Sequence, residues 1–170
     1  MKRYIDDNFE ERPKLKPLKR AEILDKLQYY CAYQERCQSE VLSKLKEIGV
    51  YNQADITYTL LELKKEGFLN EKRFANLYAE NKHLFKRWGK VKIAIYLRQK
   101  RVPHYIINEA LESIDDDIYY NTLTSLIDKK WHQLRVVRHR YKRQQKLLFY
   151  MQTKGYEYHL IKDYLKTLEH

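Results

Sequence analysis

The residues best equipped for chemistry are bases. From Lys129 to Lys146 the chain reads KKWHQLRVVRHRYKRQQK, with eight Lys/Arg and no Asp/Glu. The 170 residues together carry a formal charge of +11, so this one stretch leaves only +3 for everything else. A charge run is usually a solvated helix face. Here the density argues for more, because like charges repel and cost stability unless something anionic screens them. The members are Lys129, Lys130, Arg135, Arg138, Arg140, Lys142, Arg143 and Lys146. A second, smaller group holds Lys86, Arg87, Lys90, Lys92, Arg98, Lys100 and Arg101. These side chains suit phosphate contacts and show no base-reading pattern. Binding through them should weaken steeply with salt and be indifferent to sequence.

Catalytic chemistry has little to stand on. His83, His104, His132, His139 and His159 are scattered and form no HxxxH or HExxH pair, so they are expected at the surface or the rim of the core. Asp115, Asp116 and Asp117 are adjacent, and adjacent residues on a helix point in different directions. A helix cap or joint fits them better than a metal site. A nuclease would need converging carboxylates that are not evident. Lys90 and Lys92 follow Gly89 without the spacing of a phosphate-binding loop. Cys31 and Cys37 are too far apart for a CxxC redox pair and suit two reduced thiols in a cytosolic protein. Trp88 and Trp131 could stack on bases, although packing is the commoner use of such rings. No catalytic residue, metal or cofactor is expected.

Helices must position these bases. Four Gly and three Pro are too few for the many tight turns of a β-sandwich or barrel. Most of the sixteen tyrosines are expected to pack with the hydroxyl at the rim. No apolar run approaches a membrane span and no secretory signal is visible, so a cytoplasmic protein is expected; a monomer is the expected state. Residues 1–18, with Pro13 and Pro17, read as an extended arm. Leu24, Leu27 and Cys31 share a first helical face. Val41, Leu42, Leu45 and Ile48 mark a second helix, capped by Ser39 and ended by Gly49. Ile56, Leu60 and Leu63 mark a third, stopped by Gly67. Asn70 then caps a fourth helix with Glu71 at its positive end. Its apolar stripe reads Phe74, Leu77, Tyr78 and Leu84, and a left-handed Gly89 is expected to close it. Ile93 and Leu97 belong to a fifth helix. Pro103 opens a sixth, with Ile107, Ala110, Leu111 and Ile114. A long helix runs from the acidic joint through Leu123, Leu126, Ile127, Trp131 and Leu134. The last two carry Leu148 and Met151, then Leu160, Ile161, Tyr164 and Leu165, parted by Gly155. Residues 168–170 read as the remnant of a purification tag.

The pattern repeats. The stretches 44–50, 96–102 and 150–156 each place an apolar residue, a polar turn, then Gly or Arg, then Val or Tyr, at periods of 52 and 54 residues. Ile56, Ile107 and Ile161 follow at similar distances. One such unit is too small to bury much surface alone, but stacked neighbours can share a core. The expected fold is all-α: three tandem three-helix repeats, over 19–66, 67–115 and 116–167, stacked into an elongated, curved array. A single nine-helix globule is the alternative.

The stretch Gly67-Phe68-Leu69-Asn70-Glu71-Lys72-Arg73-Phe74-Ala75, followed by Trp88-Gly89-Lys90-x-Lys92-Ile93-x3-Leu97-x2-Lys100-x-Val102, resembles the central signature of the RecX family of bacterial recombination regulators. The similarity is strong over 67–111 and keeps order and length from about 21 to 167. Asn70-Glu71 stands where the family favours Asp-Asp, Trp88 where a base is common, and Arg101 where a second glycine is usual. The Arg101 change suggests a less strained helix end. The resemblance implies a three-repeat modulator, not an enzyme, that lies in the groove of the RecA–DNA filament and suppresses ATP hydrolysis and strand exchange. An array able to span successive subunits would add weak contacts by avidity. On that reading Arg73, Arg87, Lys90, Lys92, Arg98, Lys100 and Arg101 position the protein. Lys129, Lys130, Arg135, Arg138, Arg140, Lys142 and Arg143 meet acidic RecA surface or single- or double-stranded DNA. A general DNA- or RNA-binding module without a RecA partner is the rival.

Overall fold

The computed structural model describes residues 18–168. Among them are nine α-helices, one short 3-10 turn and no strand. The first unit holds α1 (Arg20–Tyr33), α2 (Gln38–Glu47) and α3 (Gln53–Lys65). The second holds α4 (Glu71–Lys86), α5 (Lys90–Gln99) and α6 (His104–Glu112). The third holds α7 (Asp116–Gln133), the 3-10 turn Leu134–Val136, α8 (Arg140–Lys154) and α9 (Tyr158–Thr167). The fold is the expected all-α tandem of three-helix repeats. The arm expected over 1–18, Leu18 excepted, and residues 169 and 170 of the expected tag remnant lie outside the described residues. Leu18 and Leu168 each pack against a core.

The repeat is written in the backbone. Each second helix ends in the same left-handed turn, at Gly49 (φ 83), Arg101 (φ 61) and Gly155 (φ 85). The next residue's amide then reaches back to close the helix: Val50 to Leu45, Val102 to Leu97 and Tyr156 to Met151, at 2.9, 3.1 and 3.2 Å. Val50, Val102 and Tyr156 are buried, so each turn also anchors its unit. Arg101 overturns one expectation. The helix end is not relaxed by losing its glycine; the backbone keeps the left-handed conformation, which costs a side chain roughly 1 kcal/mol.

Local caps fall where side-chain chemistry put them. Asn70 accepts the Arg73 amide at 2.9 Å and Asp115 accepts the Ile118 amide at 2.8 Å. Asn52 caps α3 in the same way, accepting from Ala54 and Asp55. Ser39, expected as a cap, sits inside α2; the cap position is Cys37, whose amide donates to Glu40. In α1 the deepest face is Ile23, Leu27 and Cys31, with Leu24 only half-buried on its flank.

Three other expectations fail on tertiary packing. Leu77 and Leu84 face solvent; α4 instead buries Phe74, Ala75, Ala79 and His83. His83 is therefore a core residue, 1% exposed, and not a rim histidine. Gly89 is not left-handed (φ −77): Arg87 is, at φ 51, and Gly89 caps the start of α5. Its missing side chain serves close approach, because a Cβ there would stand 2.2 Å from the Gly155 carbonyl oxygen.

Two cores result. The first unit closes around Ile23, Leu27, Val41, Leu45, Ile56, Leu63 and Leu69. The second and third units share one larger core, in which Ala79, Ile93, Leu97 and Ile107 join Leu123, Ile127, Leu147, Met151 and Ile161. The two junctions use matching positions. The start of α5 meets the end of α8, as Gly89 and Val91 amides donate to the Lys154 and Gly155 carbonyls at 2.9 and 3.1 Å. The start of α2 meets the end of α5 through Glu40 and Lys100, 2.5 Å apart.

Candidate anionic-partner interface

The fourteen bases named as contact residues divide into two sets. Six are tied into the fold. Arg73 bonds Glu35 at 2.6 Å and the Gly67 carbonyl at 2.9 Å. Lys100 holds Glu40. Burial pushes the Glu40 carboxyl up, but Lys100 and the Cys37 amide outweigh it and leave the group below its ordinary value. Lys90 pairs with Asp116 at 3.0 Å and lies over the Tyr119 ring. Lys92 donates to the Thr153 carbonyl at 2.9 Å and lies over Trp88. Lys130 covers the Tyr150 ring. Arg143 stacks on Trp131, 3.7 Å from the ring centroid, and donates to that residue's carbonyl. These side chains hold units and helices together, a task the sequence did not reveal.

The other eight are exposed: Arg87, Arg98, Arg101, Lys129, Arg135, Arg138, Arg140 and Lys142. Five of them belong to the basic run, and the run is not one helix. α7 ends at Gln133, the 3-10 turn follows, and α8 starts at Arg140. The run thus folds into a corner whose two arms both carry bases. α7 and α8 have 18 and 15 residues, against 14 and 10 in α1 and α2 and 16 and 10 in α4 and α5. The third unit is lengthened where the charge is densest. The first turn of α8 contains bases and no acid, so its positive end adds to the local field.

The bend also resets the helical phase. Counted from Arg140, Tyr141, Gln145 and Phe149 share a face, with Lys142 and Lys146 beside them. Tyr141 and Phe149 are both 70% exposed, an aromatic component beside the bases. Neither tryptophan is open in this way. Trp88 packs against Tyr96 at 4.7 Å and Trp131 against Arg143, and both border the large core.

Among the described residues no group of three or more His, Cys, Asp or Glu could hold a metal ion. Asp115 is a cap and Asp116 a partner of Lys90, so the acidic joint is structural. At the second junction Tyr119 donates to Glu157 and accepts the Lys90 amide. Burial and then Glu157 hold its hydroxyl far above the ordinary tyrosine range, fixing it as a donor. No helix among the described residues is long and apolar enough to cross a membrane.

Comparison with known proteins gives one answer. Residues 70–111 match the model of the RecX second three-helix domain, and residues 116–165 that of the RecX third three-helix domain. A regulatory protein RecX of Clostridium botulinum (strain Eklund 17B / Type B) is 37% identical over 112 residues, covering 65% of this chain and 52% of the relative. One from Clostridium perfringens (strain 13 / Type A) is 31% identical over 97 residues, covering 56% and 45%. The chain spans about half the length of the curated relatives it matches. The crystal structure of RecX from Lactobacillus salivarius superposes with a TM-score of 0.79 at 21% identity, over 88% of this chain and 96% of that one. A second crystal structure, of a regulatory protein RecX, gives 0.75 at 25% identity, over 85% and 71%. Two adjoining domain models that together span more than half of the chain, on a matching three-unit fold, make this chain a member of the RecX family.

Proposed function

We propose that this protein binds the RecA–DNA filament and modulates RecA, in the inhibitory direction, on ATP hydrolysis, strand exchange and coprotease activity in DNA repair. The observation that carries the reading is the α7–α8 corner. There Lys129, Arg135, Arg138, Arg140 and Lys142 are exposed along a run of sequence that holds no acid. A folded frame that presents a dense positive corner suits a polyanionic polymer. Several weak contacts on one frame bind together far more tightly than each alone.

Replacing Arg135, Arg138, Arg140 and Lys142 by Glu should abolish inhibition of RecA's DNA-dependent ATPase and leave the helical circular dichroism unchanged. Full inhibition by the folded variant removes this assignment. A second reading has its own support: exposed Tyr141 and Phe149 beside Lys142 and Lys146 would suit direct stacking on single-stranded nucleic acid. Saturating DNA in the ATPase assay separates the two, because competition for DNA then vanishes and filament binding persists.

A further inference from the structure

The two junctions of the array are built from different materials. Between the second and third units the chain shares one apolar core, and backbone amides of Gly89 and Val91 bond directly to carbonyls at the end of α8. A Cβ on Gly155 would lie 2.2 Å from the Cβ of Lys92, which leaves no room for sliding. Between the first and second units the cores are separate, and of the first unit's buried residues only Cys37 belongs to the larger one. Apart from Cys37, what spans this junction is polar. Glu35 pairs with Arg73, Glu40 with Lys100, and the Gln38 amide donates to Glu71.

These contacts are only partly satisfied. One oxygen each of Glu35 and Glu71 and the Nε of Arg36 have no partner although they are buried. Three grooves, of about 710, 580 and 500 Å³, run along this junction, each lined from both units. Arg101 borders the first two, and Lys100 the third. The peptide link is Glu66–Asn70, whose Gly67 is left-handed (φ 79) and has open space where a side chain would start. The side chains in the two ion pairs keep between 23% and 42% of their exposure, so salt screens them.

We propose that the junction of the first and second units is a salt-responsive hinge. The Glu35–Arg73 and Glu40–Lys100 pairs hold it closed, and the first unit swings on the Glu66–Asn70 link against a rigid body of the second and third. Opening moves the first unit without disturbing the basic corner of the third. It also uncovers Arg73 and Lys100, two cations that the closed form neutralises.

The test uses the full chain with a ketone-bearing amino acid for spin labelling, which leaves the native thiols alone. One pair of labels at Thr57 and Glu112 crosses the proposed hinge. A second pair at Glu112 and Lys162 crosses the rigid junction. Raising NaCl from about 0.1 M to about 1 M, which shortens the Debye length roughly threefold, should roughly double the width of the first distance distribution and leave the second unchanged. Glu35→Gln with Glu40→Gln should give the broad distribution already at low salt. Exchanging the charges, Glu35→Arg with Arg73→Glu, should keep it narrow there. A 57–112 distribution that stays narrow at every salt concentration overturns the hinge, and so does equal broadening of both pairs. The wild-type salt series alone decides this if a variant fails to fold.

Discussion

The Gly89 amide donates to the Lys154 carbonyl at 2.9 Å, and this contact joins the second helix of one unit to the second helix of the next. It is possible only because the backbones touch: the Gly155 carbonyl oxygen would lie 2.2 Å from a Gly89 Cβ. Gly89→Ala should therefore destabilise the protein by about 3 kcal/mol, since rigid backbone on both sides cannot give way. Gly49→Ala is the control. Nothing lies within 4 Å of its Cβ position, so only the left-handed φ of 83 matters and the loss should be about 1 kcal/mol. Urea unfolding followed by circular dichroism measures both. Equal losses at the two sites would count against close approach as the role of Gly89.

Arg101 offers the converse. It holds φ 61 at the position where the other two units have glycine. Arg101→Gly should stabilise the chain by about 0.5 kcal/mol, the relief of left-handed strain reduced by the entropy glycine gains when unfolded. The same unfolding experiment reads it, and a lower urea midpoint would show that the arginine side chain contributes more than its backbone costs.

Arg143 and Arg138 lie five residues apart in one basic run and should behave oppositely. Arg143→Ala removes a stack on Trp131 and a bond to its carbonyl, and should cost about 2 kcal/mol of stability. Arg138→Ala should change stability by less than about 0.5 kcal/mol. It should instead weaken binding to an anionic polymer and lower the salt slope of that binding by about 1. Thermal melts and DNA titrations at several salt concentrations separate the effects.

The thiols should be silent. Burial pushes Cys31 up to about 11 and raises Cys37 as well, the latter despite its contact with Ser39. At pH 8, below the raised value of Cys31, that group is protonated, and both thiols are enclosed. Ellman's reagent should label neither until the protein unfolds, at a rate that follows unfolding. Rapid reaction of either thiol in the native protein would contradict the burial.

Much of this molecule was legible in its sequence because it is local. Asn70 and Asp115 cap helices through bonds to amides three residues on, and such bonds need no distant partner. The turns at 49, 101 and 155 repeat because each closes its own helix. What stayed hidden is tertiary. Gly89 reads as a helix stop until Gly155 is seen against it. His83 reads as a surface residue until its ring is found beside Tyr119, bonded to the Trp88 carbonyl. The bend in the basic run contains no glycine or proline, only Val136 and Val137 among bases, so nothing local marks it. Charge alone likewise could not tell Lys90, occupied by Asp116, from Arg98, which is exposed.

The recurring turn leaves a loose end in a literal sense. Gly155 is covered by the preceding unit, whereas Gly49 faces open space. A head-to-tail contact of this kind has no symmetry to close it, so chains could in principle add to one another indefinitely. The arriving end would be the start of α8, with Arg140, Lys142 and Arg143, and the receiving end of α2 carries Lys44 and Lys46. Both ends carry bases, and like charges brought together there disfavour such addition.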